Sequence, residues 1–71
     1  MDGVKRKSVS IQEYTLKDLA GIYEISLYRM RKKLAKIKMA IGERKNGNYY
    51  ETEQVVLIFQ NVKLPSHVEI I

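Results

Sequence analysis

The chain has 71 residues, with 13 Lys or Arg against eight Asp or Glu, a net charge of +5, one histidine and no cysteine. That length suits one small domain with a modest core and no deep pocket, so neither an enzyme nor a small-molecule ligand is expected. Without cysteine there is no disulfide framework or thiolate zinc site, and His67 alone anchors no metal, so no cofactor is expected either.

In chain order, residues 1–10, MDGVKRKSVS, are polar, basic and aperiodic, and read as a flexible arm. They lack the apolar stretch of a signal peptide, and no run approaches the roughly 20 apolar residues of a membrane span. A cytoplasmic protein without a membrane partner is therefore expected. The domain proper is expected over residues 11–63, with structure beginning around Ile11 and Tyr14, and residues 64–71 form a tail.

Thr15 precedes LKDLAGIY with Asp18 three positions on, a pattern close to a capping box with Asp in place of Glu. Leu16, Leu19, Ala20 and Tyr23 recur at helical spacing as an inward stripe. Ser26 is an N-cap for a second helix, predicted from Leu27 to about Lys38, with Met30, Leu34 and Ile37 inward.

Asn46–Gly47 is a strong signal for a type I′ hairpin, because both central residues of that turn need positive φ. A two-residue loop there pairs Lys45 with Asn48, Arg44 with Tyr49, Glu43 with Tyr50 and Ile41 with Thr52. The alternation turns Ile41 and Tyr50 inward and Arg44 and Tyr49 outward.

Thr52 is expected to cap a third helix, in which Val55, Ile58, Phe59 and Val62 form the core stripe. Val56 and Leu57 fall off that stripe. Leu64–Pro65 closes the helical region, and SHVEII is a short tail with strand character in which His67 reads as solvated. Val56, Leu57 and the tail have two readings. Either the tail covers them within the monomer, or together they form a surface for a homodimer or protein partner.

The basicity is local. Residues 26–45 hold eight Lys or Arg against Glu43 alone, a net +7, whereas the rest of the chain carries −2. A positive patch on an otherwise acidic small domain is the footprint of a binder of phosphate backbone. The apolar stripe of the basic helix is narrow and belongs to the core, which argues against a membrane-lying helix.

The segment LKDLAGIYEISLYRMRKKL resembles a helix-turn-helix. Ala20 is the small residue where the helices cross, Ile25 plugs the angle between them, Ser26 caps the second helix, and Met30 and Leu34 face inward. Glu24 stands where glycine is usual and has to adopt an unusual backbone conformation. With the KNGNYY hairpin included, residues 14–62 resemble the winged helix-turn-helix domain of the MerR-like and phage-excisionase-like groups. They are still more similar to the small single-domain helix-turn-helix proteins of bacterial chromosomes and mobile elements.

The resemblance implies a mainly α fold with a small β-hairpin: a helix-turn-helix, a wing hairpin over 41–51 and a third helix. It also implies a bacterial or phage-encoded protein that binds double-stranded DNA, with the recognition helix, 26–38, in the major groove. On this sequence Ser26, Leu27, Tyr28, Arg31 and Lys32 would face the bases. Arg31 or Lys32 would donate to guanine, and Tyr28 would meet a thymine methyl or a phosphate. Arg29, Lys33, Lys36, Arg44, Lys45 and Tyr49 would face the backbone. Lys38 is a further phosphate anchor or plain solvated charge, and Lys5, Arg6 and Lys7 could add a minor-groove contact.

The role implied is a small transcriptional regulator or an excisionase-type architectural factor. The alternative is a protein-interaction module of a phage or transcription complex that presents the same face to an acidic partner. RNA binding is disfavoured, because the sequence offers no exposed series of aromatics for stacking bases.

Overall fold

A computed structural model describes residues 6–43, 47 and 49–71. Among these, the inward stripes of three helical segments meet in one core, where Leu19, Met30, Val55 and Ile58 have no more than 2 % of their surface exposed. The order of elements is β1 (Lys7–Val9), β2 (Tyr14–Thr15), α1 (Leu16–Tyr23), α2 (Leu27–Lys36), α3 (Lys38–Ile41), β3 (Tyr49–Tyr50), α4 (Thr52–Asn61) and β4 (Val68–Ile70). The protein is thus mainly helical, with two small pairs of strands. No helix among the described residues is long and apolar enough to cross a membrane.

The start of α1 follows its sequence signal. Thr15 Oγ1 accepts from the Asp18 amide and an Asp18 carboxylate oxygen accepts from the Thr15 amide, each at 3.1 Å, so the reciprocal cap forms with Asp. Its end is a Schellman-type stop: the Ile25 amide donates to Ala20 O at 3.0 Å and the Glu24 amide to Gly21 O at 3.2 Å. Glu24 takes the left-handed conformation, φ 59° and ψ 42°, as expected from its position in the turn. Ile25 packs against the core as the expected plug. The Ser26 hydroxyl then accepts from the Arg29 amide at 3.2 Å and opens α2.

Several expectations are corrected. The second helix does not run unbroken to Lys38; it stops at Lys36, and Ile37 (φ −114°, ψ 15°) separates it from α3. A β-branched residue is a weak point in a helix, and Ile37 gives up regular geometry while packing on the core. The expected hairpin strand starting at Ile41 is replaced by the end of α3, so Ile41 and Thr52 are not a strand pair. Lys38, Met39 and Ala40 favour helix, and the turn still buries Ile41. Tyr49 and Tyr50 do form a strand, but its antiparallel partner is β2, with Tyr14 opposite Tyr50 and Thr15 opposite Tyr49. Tyr50 is buried and Tyr49 half-buried, in the expected order. Gly47 has φ 75°, as a type I′ turn requires; the pairings expected of Arg44, Lys45 and Asn48 lie outside the described residues.

The cap of α4 is Glu51 rather than Thr52, which is already the first helical residue. Within α4 the expected stripe of Val55, Ile58 and Phe59 is buried, as is Val62 just beyond it. Tyr23, buried against Phe59, donates its hydroxyl to Val62 O at 2.7 Å, and burial pushes the pKa of that phenol up.

Part of the segment read as a flexible arm forms a strand. Lys7–Val9 pairs in parallel with Val68–Ile70, and Val9 and Val68 are buried. The tail therefore folds back, and its partner is the segment read as flexible. β4 alternates apolar and polar residues whereas Lys7 and Ser8 of β1 are both polar, and each strand is too short to declare itself without the other. Val56 and Leu57 are half-buried, and Leu57 packs against the core.

Candidate nucleic-acid interface

Two residues hold α2 to the core: Met30 is fully buried and Leu34 is 4 % exposed. At about 100° per residue, this narrow seam leaves the rest of the helix to solvent. Ser26, Tyr28, Arg29, Arg31, Lys32, Lys33 and Lys36 are all exposed, and Tyr28 shows 66 % of its surface. Leu27, also assigned to the base-facing set, is 42 % exposed.

These side chains fall into three zones. Tyr28 and Lys32 stand on the crest, opposite the seam. There the Lys32 ammonium sits 5.0 Å from the centre of the Tyr28 ring, a cation–π contact between successive turns. Arg31 lies on one flank, at a notch of about 210 Å³ that it lines with Leu34, Lys38, Ile41, Glu43 and Tyr50 among others. Lys33 and Lys36 lie on the opposite flank, beside Asn61 and Lys63 at the end of α4.

Leu27–Lys36 contains five cations and no carboxylate. Among the described residues none of the five is in an ion pair. The pairs present are Arg6 with Glu69, Lys38 with Glu43, and His67 with Glu24. Lys38, considered as a phosphate anchor, is therefore partly satisfied, its ammonium lying 3.7 Å from Glu43.

Two of the N-terminal cations have partners within the chain. Arg6 lies 3.7 Å from Glu69, and Lys7 Nζ donates to Gly21 O at 3.0 Å. Lys5, Arg44 and Lys45 lie outside the described residues. Tyr49, assigned to the backbone, sits half-buried in β3.

Two residues matter more than the sequence suggested. His67, read as solvated, lies with Nε2 2.8 Å from Glu24 Oε2, so the tail is fastened to the α1–α2 turn. That hydrogen bond, helped by charge on His67 and Lys7 against some desolvation, holds the Glu24 carboxyl below its ordinary range. Gln54 is the buried polar residue of the core. Its Nε2 donates to Ile41 O at 2.9 Å and Glu43 O at 2.7 Å, and its Oε1 accepts from the Glu51 amide at 2.9 Å. It ties the chain entering the 44–48 segment to the chain leaving it. The available signal was a glutamine three residues after a helix cap, which reads locally as a capping box and says nothing of Ile41 or Glu43.

Comparison with protein-family models, with characterised proteins and with solved structures yields no match for this chain.

Proposed function

We propose that this protein binds double-stranded DNA in a sequence-dependent manner through a winged helix-turn-helix arrangement, as a small transcriptional regulator or an architectural factor. The observation that carries the reading is the face of α2: five cations, no acid, and no ion pair among the described residues. Lysines that serve only solubility are commonly matched with glutamates three or four residues away, and α2 has none. A helix about 10–12 Å across fits a major groove about 12 Å wide, and α2 buries only Met30 and Leu34, which leaves the rest of its surface open.

In this reading Tyr28 and Lys32 on the crest approach the base edges, with Ser26 at the entry and Arg31 reaching from one flank. Arg29, Lys33 and Lys36 meet phosphates, which fix register and carry no sequence information. The 41–51 segment, clasped at its root by Gln54, lies against the backbone as the wing, bringing Arg44, Lys45 and Tyr49 to it. The stacked Tyr28–Lys32 pair supports base contact on the crest, because two pre-ordered side chains lose less freedom on binding.

A fluorescence titration of labelled duplex over a salt series tests this. The logarithm of the association constant should fall linearly with the logarithm of salt, with a slope of roughly −0.9 per phosphate neutralised. A folded protein that binds no duplex even at low salt would leave the protein-interaction reading in its place.

A further inference from the structure

Lys63 was no part of the basic stretch read from the sequence, lying 18 residues beyond its end. The fold returns it to α2. Lys33, Lys36 and Ile37 from α2 and its cap face Asn61, Val62 and Lys63 across a groove of about 220 Å³. All three lysines are exposed, and among the described residues none has an ion pair or a side-chain hydrogen bond. The Asn61 amide is already committed, donating to Leu57 O at 2.7 Å.

The ends of α2 and α4 both abut this groove, and each helix C-terminus offers roughly half a negative charge. Three ammonium groups against about one unit leave roughly two positive charges uncompensated. Like charges gathered from two elements repel, and an anion spanning them removes that repulsion.

The position selects the anion. A helix filling the major groove turns its crest to the bases and its two flanks to the two phosphate strands. Lys38 lies on one flank, from which Arg31 reaches toward the bases; Lys33, Lys36 and Lys63 mark the other. We propose that Lys63 joins Lys33 and Lys36 in a clamp on one backbone strand of duplex DNA, so that α4 contributes to the DNA-binding face. This inference rests on the DNA-binding reading above. It adds a contact from a separate element, one that is blind to sequence.

The test measures duplex affinity between 50 and 400 mM salt for the wild-type protein, Lys63→Gln and Lys17→Gln. Lys17 is a matched control: it is exposed on α1, beside Glu13 and Asp18 and away from α2, and its loss changes net charge equally. Lys63→Gln should make the slope less negative by about 0.9 and weaken binding roughly eightfold at 0.1 M salt by loss of counterion release. The ratio between preferred and scrambled duplexes should stay as in the wild type, and Lys17→Gln should leave the slope unchanged. A wild-type slope in Lys63→Gln, or equal changes in both variants, overturns the clamp while leaving DNA binding by α2 intact. A wild-type protein that binds no duplex defeats the underlying reading instead, and the clamp with it.

Discussion

Glu24 occupies a left-handed backbone position that L-residues adopt at a cost, and glycine would adopt it freely. What the glutamate supplies in exchange is its carboxylate, 2.8 Å from His67. Glu24→Gly should therefore raise the thermal midpoint more in a His67→Ala background than in the wild-type protein, and equal effects would mean that the contact contributes nothing. The same pair sets a pH dependence. Because the Glu24 carboxyl is held below its ordinary range, its stabilising contribution is present above that range and is lost as pH falls through its lowered value. The midpoint difference between wild type and His67→Ala should accordingly shrink on acidification through the carboxylate range, and thermal melts at a series of pH values would show it. On the proposed DNA-binding reading, base readers and phosphate contacts separate at this scale too. Arg31→Ala should relax base preference by about 1–3 kcal/mol, whereas Lys33→Ala should weaken all duplexes alike. Equal, sequence-independent losses would move Arg31 from the bases to the backbone. The strain at Glu24 was legible through the resemblance to a helix-turn-helix, which puts Glu24 at the turn position where glycine is usual. His67 was not, because its partner lies 43 residues away.

At the scale of elements, helices with complete local signals appear where expected. Thr15 and Asp18 start α1, Ser26 starts α2, and the expected stripes of α1 and α4 are buried with Met30 and Leu34 of α2. Ile22 and Gln54 are buried besides, and Ile37 is only half-buried. The 37–50 region departs, because its local signals conflict. Lys38, Met39 and Ala40 favour helix while Asn46–Gly47 favours a hairpin, and tertiary contact decides between them. β2 offers Tyr49–Tyr50 a strand partner that the hairpin reading assigned to residues on the other side of the turn. Gln54 then joins the two sides without a ladder between Ile41 and Thr52. Gln54→Leu should cost about 1–3 kcal/mol in urea unfolding, because it leaves the buried Ile41 carbonyl without its partner and also strips part-buried groups at Glu43 and Glu51 of theirs. A loss well under 1 kcal/mol would mean that water replaces the side chain and that the clasp is dispensable.

Across the whole molecule, the pieces farthest apart in sequence close the structure. β1 and β4 pair in register, Lys7 with Val68 and Val9 with Ile70, and the side chains of Lys7 and of His67, just before β4, both reach the end of α1 and its turn. The termini thus brace the turn that aims α2, which local reading could not foresee, since a parallel pair between three-residue strands leaves no local trace. The charge asymmetry was legible, but its shape was not: the fold places cations on the crest and both flanks of one helix and adds Lys63 to the set. On the proposed reading, this face of α2 receives duplex DNA. The most direct measurement is an amide chemical-shift titration of the isotope-labelled protein with a short duplex at low salt. The largest changes should fall on residues 26–36, with smaller ones at Lys63 and Tyr49, while Glu13, Lys17 and Asp18 stay still. Changes centred on that α1 surface, or none at all in a folded protein, would contradict it.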